Sequence, residues 1–423
     1  LNMFPINKNI FIIFALVGFV YTQSKMNSYG MGNPGLYRDV ASSGLSSSGL
    51  FPGYGKKFSL MNPSTWSSSK YTLFSSTFKG ITHLLNYENI QNQSSNIDWL
   101  FFIVPINQKY AFGIGLFPYA DHNVQFGKTD IMTPDSSLSN QKVDFSGGVS
   151  SLRFAFGFPL SSFGLGGLGF DLLFGSSRVH KSTEINEEIY ILDQRKLFNG
   201  IVSQLYFTSN PVLVRSKEIT FYFNLGFTIR DFSAELQSYQ PFIDINQNGV
   251  HDISLFDFPG IDNSPDPFQK RFQEFYNPLE LNFAINIKYA SEISLIYEGG
   301  LWKNNSTISD ELFEFGDGLS KKIYFSQGLI KYADKFPKNI IDKFHLRAGY
   351  SISQMDFQNN SNKVDKFDFS VGMGLPFGKF GNQIDFAYTF SKIINRHFIN
   401  EDVKTIKIGL TIGDIWFVKR RNR

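Results

Sequence analysis

The sharpest chemical motif in the 423-residue sequence is Asp244-Ile-Asn246-Gln-Asn248-Gly249-Val-His-Asp252. Asp244, Asn246 and Asn248 stand at relative positions 1, 3 and 5, Gly249 at 6 and Asp252 at 9. Side-chain oxygens at that spacing wrap a calcium ion, and the glycine permits the sharp turn between them. The bidentate Glu expected at position 12 is missing. Leu255 stands there, and Asp257 would have to reach back in its place. The spacing predicts Ca2+ as a structural clip for a long loop, with Asp244, Asn246, Asn248 and Asp252 as its ligands. The alternative is an Asn/Gly turn in a solvated loop. No other cofactor is required.

Little else points to chemistry. Gly164–Gly169 (GLGGLG) matches a dinucleotide fingerprint letter for letter. That fingerprint needs a helix after it, however, and here Phe170, Leu172 and Phe174 continue a strand. A strand bend, or a place where another segment comes close, explains the glycines better. The six His residues are scattered without ligand spacing, and neither a Gly-x-Ser-x-Gly elbow nor a phosphate loop occurs. The chain is therefore not expected to be an enzyme. His345 and Arg347 share one polar strand face and are expected to line an interior.

The elements that must carry these residues are strands. Aromatic residues (47 Phe, 19 Tyr, 4 Trp) make up 17% of the chain and charged residues only 18%, yet mean hydropathy is -0.14. A helical membrane protein would show repeated runs of ~20 apolar residues. A disordered chain would lack aromatics. A net charge of +3 is low for a nucleic-acid binder, and without Cys there is neither a disulfide scaffold nor a lipid anchor. Period-two alternation supplies the positive signal. Ile219, Phe221, Phe223, Leu225, Phe227 and Ile229 alternate with polar or small residues, and so do Leu279–Tyr289, Phe344–Ile352, Phe367–Leu375, Ile384–Phe390 and Ile406–Ile412. The fold class read from this is all-β, a transmembrane antiparallel barrel of about fourteen strands, with twelve and sixteen left open as counts.

The strands are expected near 70–86, 97–105, 109–118, 143–157, 163–178, 197–208, 217–231, 278–289, 291–303, 320–333, 343–356, 364–375, 381–393 and 403–415. Long links fall after the third (119–142), fifth (179–196), seventh (232–277) and ninth (304–319). Outer-membrane barrels have short periplasmic turns and longer outer loops. The alternation thus predicts a bacterial outer-membrane location, both termini in the periplasm and the 244–252 motif in the longest outer loop. Outer-membrane lipid is then the first partner. A monomer is expected, with no nucleic acid bound.

Residues 1–23 read as a signal peptide, with Lys8 before the apolar run Ile10–Tyr21. Residues 24–69 are rich in Gly, Ser, Pro and Asn. They also carry Leu45, Leu50, Phe51, Tyr54, Phe58 and Trp66, which ask for burial. An N-terminal plug (hatch) folded into the lumen of a 70–423 barrel meets that need, and a disordered leader is the alternative. The basic tail Lys419, Arg420, Arg421 and Arg423 reads as a solvated end.

Asn62-Pro63-Ser64, placed directly before the first long strand, resembles the FadL-type outer-membrane transport family. Members of that family carry an Asn-Pro-Ala element at the end of a hatch, followed by a fourteen-stranded barrel. Gly113–Ala120 (GIGLFPYA) and Ile408–Arg421 resemble stretches in barrels of Bacteroidota-like bacteria. Ser64 in place of Ala, and Arg423 in place of a final aromatic, depart from the pattern. The resemblance implies passive uptake of hydrophobic small molecules such as fatty acids. The ligand would pass through the lumen to the hatch and leave sideways at a strand kink. Asn62 and Pro63 are the only plug residues carried over. The competing reading is a non-transporting scaffold or secretion accessory resembling the PorV branch.

Overall fold

The computed structural model describes residues 27, 30–34, 39–85, 90–106, 109–132, 138–160, 162–185, 187–261, 266–289, 292–306, 312, 318–334, 336–357, 363–378, 381–395 and 400–415. The signal-peptide reading of 1–23 and the basic tail lie outside these residues. Fourteen strands form the wall. They are β1 (Thr72–Leu85), β2 (Ile90–Ile106), β3 (Tyr110–Asp121), β4 (Leu138–Leu160), β5 (Gly164–Ile185), β6 (Glu188–Ser209) and β7 (Lys217–Ser238), followed by β8 (Pro278–Lys288), β9 (Ile293–Asn304), β10 (Leu319–Lys331), β11 (His345–Phe357), β12 (Lys363–Phe377), β13 (Asn382–Asn395) and β14 (Glu401–Asp414). Each pairs antiparallel with its neighbours, and β1 closes onto β14 from Thr72 opposite Asp414 to Leu85 opposite Glu401. Closure removes the edges that such Phe-rich strands would otherwise expose.

The alternation read from the sequence is the alternation of the wall. On β12, Phe367, Phe369, Val371 and Met373 face outward and are exposed, while Asp368 and Ser370 are buried toward the lumen. On β14, Ile406, Ile408, Leu410 and Ile412 face out and Lys407 and Thr411 face in. Phe221 and Phe223 on β7 and Phe283 on β8 extend the same outer belt. The apolar excess therefore covers the outside of the wall, as a lipid-facing surface requires.

The long links need correction. Residues 179–196 are not a loop. The β5–β6 ladder runs to Ile185 opposite Glu188, so only two residues separate the strands. Within 119–142, Val124–Met132 pairs with Leu138–Phe145. Within 232–277, β7 continues to Ser238 and pairs with a further strand, Phe268–Gln273. The strands β4 to β7 thus rise above the belt as a blade. There the sequence (for example Lys181-Ser-Thr-Glu184) is polar on both faces, so the period-two apolar signal disappears although the ladder continues. β2 likewise begins at Ile90 rather than 97, because its first half is polar.

A charge placed on the outer face should be costly. Phe369, near the middle of β12 and 58% exposed, faces out. Phe369→Arg is expected to destabilise the barrel by about 2–4 kcal/mol in phospholipid vesicles, read by denaturant unfolding. Ser370→Asn, at the inward neighbour, should not show the dependence on lipid thickness that Phe369→Arg shows.

Candidate functional site

The described part of the N-terminal segment lies inside the wall. Val40–Ser43 is a short helix capped by Asp39, whose Oδ1 accepts the Ser42 N–H at 2.7 Å. Burial pushes the Asp39 carboxyl above its ordinary range, while the Ser42 bond pulls the other way. Pro63–Ser68 is a 3-10 helix, with Pro at its first turn, where no amide donor is lost. Asn62 caps it and is fully buried. Its Oδ1 accepts from the Ser64 backbone at 3.1 Å and the Ser64 hydroxyl at 2.6 Å, and its Nδ2 donates to Leu50 O at 2.7 Å. Ser64 Oγ also lies 2.6 Å from Thr208 Oγ1 on β6. The residues predicted as the plug element, Asn62 and Pro63, are thus where the plug folds on itself and bonds to the wall.

The plug touches the wall backbone to backbone, and lumen-facing glycines make this feasible. A Cβ on Gly349 would sit 2.1 Å from Leu45 O, and one on Gly157 would sit 2.1 Å from Pro63 O. One on Gly167, inside the GLGGLG run, would lie 2.6 Å from Ser64 N. Those glycines serve close approach of the plug. At Gly113 and Gly115 the space is filled by the rings of Trp66 and Phe101.

Polar lumen residues lock this arrangement. Arg153 and Asp171 form a two-bond fork at 2.6 and 2.7 Å, both fully buried, with Gln204 Oε1 3.0 Å from the guanidinium. Arg347 holds Asp385 at 2.6 Å and donates to plug carbonyl Gly53 O at 2.9 Å. Glu298 accepts the Ser48 N–H at 3.0 Å and the Tyr324 hydroxyl at 2.7 Å. Tyr332 donates to Pro52 O at 2.8 Å and Tyr54 to Gly381 O at 2.6 Å. Asp98 bridges Lys79 and Lys407 at 3.0 and 2.6 Å. His345, predicted to share the lumen face with Arg347, does so, and its Nδ1 accepts Ala333 N–H at 2.9 Å. Between plug and wall lies a cavity of about 60 Å³, lined by Leu50, Met61, Arg153, Glu280, Lys322 and Tyr324. Ligand sites of drug size are roughly 300–1,000 Å³.

One seam interrupts the wall. β2 pairs with β3 only from Leu100–Ile106 against Tyr110–Leu116. Past Leu116 the β2 ladder ends, and on that side Ala120 and Asp121 pair with Asn33–Pro34 of the N-terminal segment, while the ladder of β3 with β4 shifts register at Pro118/Ala120. His122 Nε2 then donates to Met31 O at 2.9 Å, and burial holds that imidazole down at about 4, with the Lys196 charge acting in the same direction. Among the described residues, β2 from Ile90 to Trp99 has β1 on one side and no ladder on the other. Inside the seam, Trp99 stacks on Phe101 at 4.9 Å and on Phe117 at 5.2 Å, and Trp66 meets Phe101 edge-on at 5.3 Å. This cluster gave no sequence signal beyond its ring content, because its members come from three separate segments.

The predicted calcium ligands lie elsewhere. Asp244 ends a short strand, Phe242–Asp244, paired to Asp257–Phe258 and to β6 on the blade. Asn246 and Asn248 donate to Asp252 at 2.9 and 2.6 Å, holding its carboxyl below the usual range. Among the described residues no three His, Asp or Glu side chains converge as a metal-ligand group.

A family model described as BamG matches residues 6–422. The chain belongs to the BamG family. No curated protein matches the sequence. Among solved structures, the BamG-family chain is similar to a Pseudomonas aeruginosa FadL homologue (11% identity, TM-score 0.50, covering 92% of this chain and 99% of that one). It is also similar to the CymD monoaromatic hydrocarbon channel (13%, 0.49, 95% and 99%) and the Pseudomonas putida toluene transporter TodX (11%, 0.42, 95% and 100%). The FadL homologue shares the fold, so the barrel is of the FadL type that the Asn-Pro-Ser element suggested.

The glycine contacts are testable. Gly349→Ala places a methyl group against the Leu45 backbone, and the plug must shift. A loss of about 1–3 kcal/mol is expected, read as a lower thermal midpoint in detergent and faster proteolysis within 39–69.

Proposed function

We propose that this BamG-family barrel is a passive outer-membrane conduit for hydrophobic small molecules, gated by the plug. The observation that carries the reading is the seam between β2 and β3. The ladder stops there, an aromatic cluster lies directly behind it, and Ile97 on its lip is 62% exposed to the outside. A greasy solute gains little from a wet pore, but it gains apolar contact on rings that adjoin a lipid-facing gap. Fatty acids are one candidate. In this reading the short turns face the periplasm, and the plug must shift for solute to pass, because the 60 Å³ cavity is too small to hold one.

A second reading has its own support. The lumen is closed by buried ion pairs tied to plug backbone, and the blade over β4 to β7 is ordered well above the belt. Both features suit a sealed scaffold or secretion accessory.

One experiment separates the two. The chain contains no Cys, and Ser46 Oγ lies 2.7 Å from Ser370 Oγ across the plug–wall contact. A Ser46→Cys/Ser370→Cys variant would therefore pin the plug by a disulfide. Proteoliposomes of the wild type should take up a fluorescent acyl probe faster than empty liposomes. The oxidised variant should lose that excess at least tenfold, and reductant should restore it. Uptake equal to that of empty liposomes in all states would leave the scaffold reading standing.

A further inference from the structure

The 242–258 hairpin on the blade carries a group that its own hydrogen bonds do not explain. Asp257 is 0% exposed. One of its carboxylate oxygens accepts the Asp252 N–H, and the other, Oδ1, is buried without a hydrogen-bond partner. Asp257 is the register partner of Asp244, itself buried at the opposite end of the same turn. A buried carboxylate oxygen with no donor is costly unless a cation meets it. The segment between Tyr239 and Ile261 contains three Asp and no Lys or Arg, so the turn brings no side-chain cation of its own beyond a protonated His251. His251 is already committed, stacked on Phe242 at 4.3 Å with its Nε2 on Pro259 O.

The rest of the turn has the form of a cation loop. Asp244 Oδ2 accepts the Gly249 N–H at 2.7 Å and its Oδ1 accepts the Asn248 N–H at 3.2 Å, which winds the loop around the carboxylate. Gly249 takes φ +77, a conformation that side chains rarely adopt. The Asn246 and Asn248 amides both point at Asp252 through Nδ2. Their Oδ1 atoms accept the Asn248 and Val250 N–H groups at 3.2 and 2.7 Å, and each amide oxygen keeps a second lone pair for a cation.

We propose that this hairpin binds one Ca2+ ion, with Asp257 supplying the carboxylate that the sequence lacks at position 12. Asp244, Asn246, Asn248 and Asp252 would supply side-chain oxygens from positions 1, 3, 5 and 9, and the three carboxylates, which do not converge here, would close on the ion by side-chain rotation. Val250 at position 7 supplies its carbonyl, as in twelve-residue calcium loops. Ca2+ is favoured over Mg2+ because a flexible set of mixed carboxylate, amide and carbonyl oxygens suits a large ion of variable coordination. The ion would tie Asp244 to Asp257 across the hairpin and hold the apolar residues beyond the turn, Leu255, Phe256 and Phe258, in fixed positions on the blade.

The test uses the full chain in detergent micelles, stripped with chelator and titrated with CaCl2 by calorimetry, with MgCl2 as control. One equivalent of Ca2+ should bind with a dissociation constant of roughly 10⁻⁴–10⁻³ M, the range of weak loops, and Mg2+ should bind at least tenfold more weakly. Saturating Ca2+ should slow proteolysis between Tyr239 and Phe268 severalfold. Asp257→Asn should weaken Ca2+ binding at least tenfold while the heat-modifiable gel mobility of the barrel stays unchanged. If that variant fails to fold, Asp252→Asn on the exposed side of the turn provides the same comparison. The proposal is overturned if the wild type shows no binding heat and no protection up to 10-fold above that range, or if Mg2+ serves equally well. It is also overturned if Asp257→Asn binds Ca2+ as the wild type does.

Discussion

The structure depends on direct contact between the plug backbone and the inner surface of the barrel. A closed fourteen-stranded wall leaves an interior that its own side chains do not fill, and the interior must then hold water or protein. Here it holds residues 39–69. Peptide groups carried into that space must find partners, and they find them in Glu298, Arg347 and Tyr332 on the wall. The approach is close enough only because Gly157, Gly167, Gly349 and Gly372 stand where the plug touches. A methyl group at any of these positions would push the two surfaces apart and leave both sets of polar groups unpaired.

The buried charges follow from the same constraint. An isolated ion pair in a low-dielectric interior recovers its desolvation cost only with good geometry and additional hydrogen bonds. Arg153 has both, through the fork to Asp171 and the Gln204 amide. Arg347 divides its donors between Asp385 and the Gly53 carbonyl, so the same guanidinium neutralises a wall carboxylate and caps the plug. The seam is the one described place where wall pairing yields to plug pairing. Where β3 leaves β2, Asn33–Pro34 takes over its free edge, and a stack of rings seals the space behind.

Much of this was legible in the sequence, for a physical reason. A strand with lipid on one side and protein or water on the other must alternate, so Phe367–Leu375 and Ile406–Ile412 declared both their faces and their places in the wall. The apolar residues of 24–69 declared a need for burial, and Asn62-Pro63 marked the fold of the plug. Above the belt both strand faces meet water, and there Val179–Lys196 read as a loop although it is ladder. The lumen ion pairs and the Trp66, Trp99, Phe101 and Phe117 cluster were not legible, because each joins residues distant in sequence whose meeting depends on barrel register. The GLGGLG glycines read as a strand bend or a place of close approach, and Ser64 lies against Gly167; which segment approaches was not legible.

Ion conductance across a planar bilayer tests the sealed lumen most directly. Purified full-length protein inserted into the bilayer should give no stable conductance steps, because plug backbone, buried ion pairs and rings fill the cross-section. Deleting residues 39–69 should open steps of nanosiemens size. Large, constant steps from the intact chain, unchanged by that deletion, would contradict the account.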